Sequence, residues 1–378
     1  MPYAIAFTLY TVTAHRVIRT QKMTETNLSC LLYGPGKVRF ENRPVPEIED
    51  PHDVLIRISY VGVCGSDVHF WHHGGVIRLV SDSQPLVMGH EASGIVHRIG
   101  AAVKNVKVGD RVAIEPGFPC RRCKNCKTGR YNLCASMKFA ADPPDTHGTL
   151  CRIFRIPADF VYRIPDSLGL QEAVLVEPLA VAVHGVRLAG IQPGASVLVQ
   201  GAGTIGLLSA AVARVYGARK VFITDVSERK RGFARGYLAC QVLAPDVSET
   251  PEKVAARFKM DIGLEQGVDV VLECTGAEAS AQAGLYALAA GGVFVQIGLG
   301  KPLQCLPVLD MCEKETVLKT AFRYAPRDYE IALGLLESAA VSVTPLISST
   351  LPFEQAAEAW ERTGNGEGIK NLIEGVRD

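Results

Sequence analysis

The sequence predicts an α/β protein that combines a β-rich domain with a doubly wound, mostly parallel sheet covered by helices. From Leu28 to about Leu179, short apolar runs such as DVLIRISYVGVCG and VGDRVAIEP are broken by Gly, Pro and Asp, which is typical of short strands. Beyond Gly194, strand and helix patterns alternate, beginning with SVLVQ, TIGLLSAAVARVYGA and KVFITD. Such alternation predicts a parallel sheet with right-handed crossovers.

The chain length predicts two domains. A chain of 378 residues exceeds what one hydrophobic core usually organises. The β-rich pattern ends where helical apolar spacing begins, and mixed elements return in the last sixty residues. We therefore expect one domain over residues 28–179 and 319–378, and the parallel-sheet domain over residues 180–318.

Residues 1–27 are predicted to form an N-terminal extension, which could be disordered. The basic residues Arg16, Arg19 and Lys22 would suit an organelle-targeting segment, but an apolar opening precedes them, which reverses the order of a secretory signal. We favour the alternative that translation begins at Met23.

Charge and composition exclude several function classes. Forty basic and thirty-nine acidic side chains give a net charge of +1, so no long-range field would attract nucleic acid or an anionic membrane. No apolar run is long enough for a membrane span. We expect a small or uncharged ligand, no nucleic-acid partner and no membrane association.

Four of the eleven cysteines lie within fifteen residues, in CRRCKNCKTGRYNLC. Cys120, Cys123, Cys126 and Cys134 could satisfy tetrahedral zinc without an open position, as a structural site does. An iron–sulfur cluster can use similar spacing, but nothing in the sequence suggests electron transfer. The clustering and the odd total favour a reducing, cytoplasmic location.

A glycine-rich motif follows the first strand of the parallel-sheet segment. Gly201, Gly203 and Gly206 form GAGTIG directly after SVLVQ and at the start of a helix. Such glycines allow the tight turn, the close approach of a pyrophosphate and helix–strand packing, while the helix N-terminus favours phosphate. The motif predicts a Rossmann coenzyme domain.

Asp225 ends the next strand pattern, nineteen residues past Gly206. A carboxylate there can bind the ribose hydroxyls and repels a 2′-phosphate, so NAD is favoured over NADP. Arg229 and Lys230 could offset part of that repulsion. The alternative is an ordinary turn aspartate.

A second set of possible metal ligands is dispersed along the chain: Cys64 in GVCGSDVHF, His90 and Glu91 in GHEASG, and Glu177 in VEPLAV. Singly, each could be a buried cysteine, a core histidine or a capping glutamate. Together, a thiolate, an imidazole and a carboxylate could hold a catalytic zinc that keeps one position open.

The motifs GHE, the four-cysteine run, EPL and GAGTIG occur in the order of the zinc-containing medium-chain dehydrogenases, which the chain resembles from Leu28 to its C-terminus. Within that family, RYNLC, FAADPP, HGTL, ECTGAEAS and AFRY resemble the sorbitol and xylitol dehydrogenase branch. The resemblance implies a GroES-like catalytic domain beside the Rossmann domain, NAD and two zinc ions per chain, and a homotetramer.

The resemblance also implies roles for individual residues. Catalytic roles, including a proton path, are expected for Cys64, Ser66, His69, His90, Glu91 and Glu177. Cofactor contacts are expected at Gly201, Gly203, Ile205, Gly206, Asp225, Lys230, Phe322 and Arg323. The substrate is expected to meet Phe70, Phe139, Arg323 and Tyr324. Whether Glu91 or Glu177 ligates the catalytic zinc directly stays open.

The activity implied is oxidation of a polyol, with xylitol to D-xylulose as the first expectation and sorbitol to fructose as the second. An L-arabinitol dehydrogenase is the alternative substrate assignment. Phe70 and Asp142 stand where sorbitol dehydrogenases often have tyrosine and threonine. A non-catalytic NAD-binding scaffold is the alternative of another class, and the intact ligand set argues against it.

Overall fold

The computed structural model describes residues 26–75, 78–144 and 146–377, so the predicted extension lies outside the described residues up to residue 25. The strands are β1 Thr26–Gly34, β2 Lys37–Pro44, β3 Asp53–Gly62, β4 Leu86–Val87, β5 Glu91–Ile99, β6 Arg111–Ile114, β7 Gly117–Phe118, β8 Lys138–Phe139, β9 Ile153–Pro157, β10 Val161–Arg163, β11 Ser196–Gln200, β12 Lys220–Thr224, β13 Gln241–Leu243, β14 Val268–Glu273, β15 Leu288–Gln296, β16 Val317–Thr320, β17 Ile347–Leu351 and β18 Lys370–Glu374.

Eleven α-helices connect the strands of the described residues. They are α1 Gly65–His73, α2 Lys124–Lys127, α3 Leu170–Ala173, α4 Val176–Ala189, α5 Thr204–Val215, α6 Glu228–Leu238, α7 Pro251–Asp261, α8 Glu278–Ala287, α9 Val308–Glu313, α10 Asp328–Glu337 and α11 Ala356–Gly364. No helix in this part of the chain combines the length and the apolar character that a membrane crossing requires.

The β-rich part is built around a seven-stranded sheet in the order β10-β6-β5-β3-β18-β17, with β9 also paired to β3. The C-terminal strand β18 pairs antiparallel with β3, so the end of the chain returns to the first half. A three-stranded sheet, β2-β1-β4, and the hairpin β7-β8 complete this part. This pairing brings the start of β18, near residue 370, next to the end of β3, near residue 62.

The second part is a six-stranded parallel sheet in the order β13-β12-β11-β14-β15-β16. Every residue of β11 is buried, as expected for a parallel strand covered on both faces. The chain reverses its strand order between β11 and β14, and ligands of such sheets bind outside the carboxyl ends of the strands at that point. The predicted fold class is confirmed.

Helix α4 lies between the two parts. It packs against α5, α10 and β15, and one apolar cluster includes Phe139, Leu179 of α4 and Val197 of β11. The predicted boundary after residue 179 falls inside α4, and the one after residue 318 falls inside β16. Both boundaries stay predictions, because a shared core joins the segments on either side.

Candidate active site

Pairing of β5 with β3 brings the dispersed ligand candidates together. Gly62, the last residue of β3, lies opposite Glu91, the first residue of β5. Cys64 follows two residues later as the N-cap of α1. The sulfur of Cys64, a ring nitrogen of His90 and a carboxylate oxygen of Glu91 all lie within 4.8 Å of one another.

Gly62 is required by this arrangement. A β-carbon at this position would lie 2.1 Å from Oε2 of Glu91 and 2.9 Å from a methyl group of Val174. Any other residue would therefore displace the carboxylate, which is 2% exposed. The role of this glycine is visible only once the register of the two strands is known.

Lys370 forms a buried ion pair with Glu91. Its Nζ lies 2.8 and 2.7 Å from the two carboxylate oxygens and donates a third hydrogen bond to the carbonyl of Val63 at 2.9 Å. Burial disfavours the charged amine, but the adjacent Glu91 carboxylate outweighs it, so the pKa of Lys370 is raised. Sequence analysis missed Lys370, because a lysine that begins a C-terminal strand pattern carries no local signal.

Asp67 orients the other two members of the group. Its Oδ2 accepts a hydrogen bond from the backbone N–H of Cys64 at 2.9 Å, and its Oδ1 lies 3.7 Å from Nδ1 of His90. A carboxylate behind a histidine fixes the ring and leaves the other nitrogen for a metal. Sequence analysis missed this residue too, although an acid three positions after the N-cap is a capping-box signal.

Electrostatics at the site favour a cation. Burial alone would lower the pKa of His90, but the carboxylate of Asp67 and then the thiol of Cys64 raise it to about 10. Burial also raises the pKa of Glu177 to about 7. The concentration of acidic groups around a histidine suits a divalent ion, which would take the place of the proton.

Glu177 lies in the first turn of α4 and is buried. It is electrostatically coupled to His90, Glu91 and Arg323, but it is not part of the ligand group formed with Cys64. Glu177 therefore belongs to the same site as Cys64, His90 and Glu91, but it lies outside the group of three possible ligands.

Phe139 and Arg323 form one wall beside this group. The Phe139 ring centroid lies 5.6 Å from that of His90, and the Arg323 guanidinium lies 3.7 Å from the Phe139 centroid. Arg323 has a left-handed backbone, with φ of 56°. Phe322 is 43% exposed, and its ring centroid lies 4.8 Å from the guanidinium of Arg323.

Tyr324 carries a buried polar atom that lacks a partner. The residue is 2% exposed, and within the described residues its hydroxyl has no hydrogen-bond partner. Its ring packs edge-on against Tyr329. A buried hydroxyl without a partner is costly, so this atom is suited to a ligand group.

The remaining predicted residues on α1 are less enclosed. Ser66 is partly exposed and His69 is exposed. Phe70 packs at the margin of the apolar cluster of the β-rich part, whereas Phe139 and Tyr324 belong to the cluster that both parts share. The substrate contact expected at Phe70 therefore stays a prediction.

The glycine motif adopts a tight turn at the end of β11. Gly201 has φ of 97°, and a β-carbon on Gly206 would lie 1.8 Å from the Gly201 carbonyl oxygen. Gly203 caps α5, and Ile205 follows in its first turn. The open N-terminus of α5 lies at the carboxyl end of β11, where a pyrophosphate would fit.

Asp225 directly follows β12 and is fixed by two backbone groups. Its carboxylate accepts hydrogen bonds from the N–H of Ala202 at 2.8 Å and from the N–H of Ser227 at 2.8 Å. Lys230 lies in the first turn of α6, where its N–H donates to the Ser227 hydroxyl at 3.4 Å. Asp225 is thus positioned beside the glycine turn.

The four cysteines of the lobe converge, as their spacing predicts. The sulfur of Cys126 lies 3.9 Å from that of Cys120 and 3.4 Å from that of Cys123, near the separation of about 3.8 Å that tetrahedral zinc with Zn–S bonds of about 2.3 Å requires. Backbone N–H groups of Arg122 and then Cys123 lower the pKa of Cys120 to about 6. The donor set fits a closed zinc site.

Glu115 connects this lobe to the rest of the protein. It is fully buried and accepts hydrogen bonds from the hydroxyls of Tyr131, in the lobe, and of Tyr162. Burial raises the pKa of Glu115 to about 8. Asn132 also donates to the carbonyl of Phe322 at 2.9 Å, so the lobe supports the segment that carries Arg323.

Two family models match the chain. The model described as the alcohol dehydrogenase GroES-like domain matches residues 50–166, and the one described as zinc-binding dehydrogenase matches residues 204–338. The chain belongs to the zinc-containing medium-chain dehydrogenases. As a member of this family it is an oxidoreductase that acts on CH–OH groups and uses zinc and NAD.

Relatives of this dehydrogenase cover nearly the whole chain. It is 46% identical to a probable D-xylulose reductase A of Aspergillus clavatus over 95% of this chain and 99% of that protein. It is also 46% identical to D-xylulose reductase A of Aspergillus niger over 94% and 99%. A solved oxidoreductase of unknown specificity from Escherichia coli, ECK1772, is 31% identical with a TM-score of 0.86, covering 93% of this chain and 100% of that one.

Proposed function

We propose that this dehydrogenase oxidises xylitol to D-xylulose with NAD, and sorbitol to fructose more slowly. The observation that carries the proposal is the ligand group of Cys64, His90 and Glu91, and the buried, unpartnered hydroxyl of Tyr324 supports it. The 46% identity to two proteins named D-xylulose reductase supports the choice of polyol. A polyol has several hydroxyl groups, which suits a site with polar atoms held inside apolar walls.

Two zinc sites are proposed. Cys64, His90 and Glu91 would hold the catalytic ion, with Glu177 acting through a water molecule, while the four cysteines of the lobe would hold the structural ion. When bound, zinc supplies a Lewis acid that lowers the pKa of the substrate hydroxyl, and NAD accepts the hydride. Asp67 orients His90, and Lys370 holds Glu91 against one edge of the site.

Residues of the chain would position the substrate and remove its proton. The hydroxyl of Tyr324 would donate to or accept from a substrate hydroxyl, and Arg323 would contact a second one from above Phe139. The hydroxyl of Ser66 would accept the proton of the reacting hydroxyl while giving up its own proton, which would pass through a ring nitrogen of His69 to solvent. A positioned acid–base group contributes about 10²–10⁴-fold to the rate.

The coenzyme would lie along the carboxyl ends of the parallel strands. The glycine turn and the N-terminus of α5 would bind the pyrophosphate, and Ile205 would contact the nicotinamide half. Asp225 would bind the adenosine ribose. Its two backbone hydrogen bonds hold the carboxylate where a 2′-phosphate would be repelled, which favours NAD over NADP.

A homotetramer in the cytoplasm completes the proposal. The edge strand β16 exposes Val317 and Leu318, and Leu299, Leu303 and Leu309 are at least 75% exposed nearby in the sequence. Apolar surface along an unpaired sheet edge supports association with further copies. Five of the eleven cysteines lie in the two ligand groups, which supports a reducing compartment.

A panel of polyols tests the proposed function. With zinc-loaded protein and NAD, we expect the highest kcat/KM for xylitol, a lower one for sorbitol and a lower one still for L-arabinitol, measured from NADH absorbance. Replacing NAD by NADP should lower kcat/KM at least about tenfold, or 1.4 kcal/mol. A kcat/KM that is highest with L-arabinitol would establish the arabinitol alternative. If no polyol gave NADH, the proposed function would be wrong and the non-catalytic NAD-binding scaffold would be the remaining alternative.

Glu177→Gln should lower kcat with xylitol by about 10²–10³-fold, because a neutral amide lacks the negative charge with which Glu177 would act, through its water molecule, on the catalytic ion. The Kd for NADH, measured by fluorescence titration, should change little, since Glu177 lies at the metal side of the site. Glu172→Gln is a matched control on α3. Equal kcat values for Glu177→Gln and the unaltered protein would contradict the role.

A further inference from the structure

The last two turns of α1 carry three histidines, at positions 69, 72 and 73. His69 and His73 are one helical turn apart, both are exposed, and their ring centroids lie 4.7 Å apart with an interplanar angle of 52°. His72 is turned aside, since its Nε2 lies 3.2 Å from where a β-carbon on Gly364 would stand, next to α11. The first two therefore form a pair on one helix face.

The ring nitrogens of this pair are available. Other histidines have acidic partners: His184 is hydrogen-bonded to Asp328 and His52 to Asp50. His90 lies next to the carboxylate of Asp67. Throughout residues 26–75, 78–144 and 146–377, His69 and His73 show no hydrogen bond or ion pair and have only ring contacts with neighbouring histidines. Both can turn a nitrogen outward to a common ligand.

We propose that His69 and His73 form a third metal site, which binds a divalent ion such as Ni²⁺ or Cu²⁺ at the surface. Imidazole pairs at positions i and i+4 of a helix present two nitrogens to one ion, and these metals prefer nitrogen ligands. The site lies in the last turns of α1, where the partial negative charge of the helix C-terminus favours a cation. Water would complete the coordination.

The ion would regulate the enzyme, and this part rests on the proposed function. His69 is the last group of the proposed proton path, and a metal on its ring nitrogen occupies the position that a proton needs. Binding at the pair should therefore inhibit turnover while the catalytic and structural zinc ions stay in place.

Calorimetric titration of the zinc-loaded enzyme with Ni²⁺ tests the site. We expect one Ni²⁺ per chain in addition to the resident zinc, with the zinc content unchanged by elemental analysis. His73→Ala should weaken this binding at least about tenfold, and His73→Gln should do the same. His72→Ala is the matched control and should bind Ni²⁺ as the unaltered enzyme does. No added Ni²⁺, or equal binding after His73→Ala, would overturn the site.

Kinetics test the regulation separately. His73→Ala should keep its turnover without Ni²⁺, because His73 takes no part in the proposed chemistry, and should need at least about tenfold more Ni²⁺ for half inhibition. Saturating Ni²⁺ that leaves xylitol oxidation unchanged would overturn the regulatory role. The binding measurement needs no substrate, so a failure of the polyol assignment would not be mistaken for a failure of the metal site.

Discussion

Lys370→Met is expected to lower the free energy of unfolding by about 3–5 kcal/mol. Lys370 and Glu91 are 3% and 2% exposed, and the amine provides the bonds to both carboxylate oxygens. In protein without the catalytic zinc, methionine would fill most of the space but would leave the Glu91 carboxylate buried without a cation. Removing one partner of a buried pair is costly for this reason.

Tryptophan fluorescence during urea unfolding can measure the effect. The two tryptophans, Trp71 and Trp360, pack against each other in the β-rich part with centroids 5.5 Å apart, so their signal reports the part that contains Lys370. Lys301→Met, at an exposed lysine, is the matched control and should change the free energy by less than about 0.5 kcal/mol. Adding Glu91→Gln to Lys370→Met should restore part of the loss. Equal midpoints for the two single variants would refute the expectation.

Cys64→Ala should remove the proposed catalytic zinc and lower kcat with xylitol by at least about 10³-fold. The Lewis acid contributes several kcal/mol to transition-state stabilisation, and each 1.36 kcal/mol corresponds to about tenfold in rate. Elemental analysis should show that zinc falls from about two to about one per chain.

Cys312→Ala is the matched control, because this exposed thiol lies outside both ligand groups. It should keep about two zinc ions and full activity. Cys120→Ala should also lose one zinc ion, but its first effect should be a lower unfolding midpoint, since structural zinc contributes to folding. Two zinc ions retained by Cys64→Ala would remove Cys64 from the catalytic set.

Features whose physics is local could be predicted from the sequence. The four cysteines of the lobe fall within fifteen residues, so the short loop alone brings their sulfurs together. The turn at Gly201 and the helix that follows it are also consecutive in the chain. The parallel sheet followed from alternating strand and helix patterns. The structure shows the cluster, the turn and the sheet where the sequence predicted them.

The sequence could group Cys64 with His90 and Glu91 only through the combination of several motifs. The spacing between Cys64 and His90 is not by itself typical of a metal site. Their proximity depends on the register that places Gly62 opposite Glu91. A shift of one residue would turn every side chain of β5 to the other face. The sequence indicated which residues to consider, and strand pairing decided that they meet.

The sequence by itself determined the fold class, the cysteine lobe, the dinucleotide turn and the candidate ligands, because short spacing and periodicity are properties of consecutive residues. The tertiary structure alone decided that Lys370 neutralises Glu91, that Asp67 supports His90, and that the hydroxyl of Tyr324 is buried without a partner. These facts depend on burial and on pairs far apart in the chain, such as the 279 positions between Lys370 and Glu91. Only the pairing of β18 with β3 brings such groups into contact, and only their removal from water makes the contact strong.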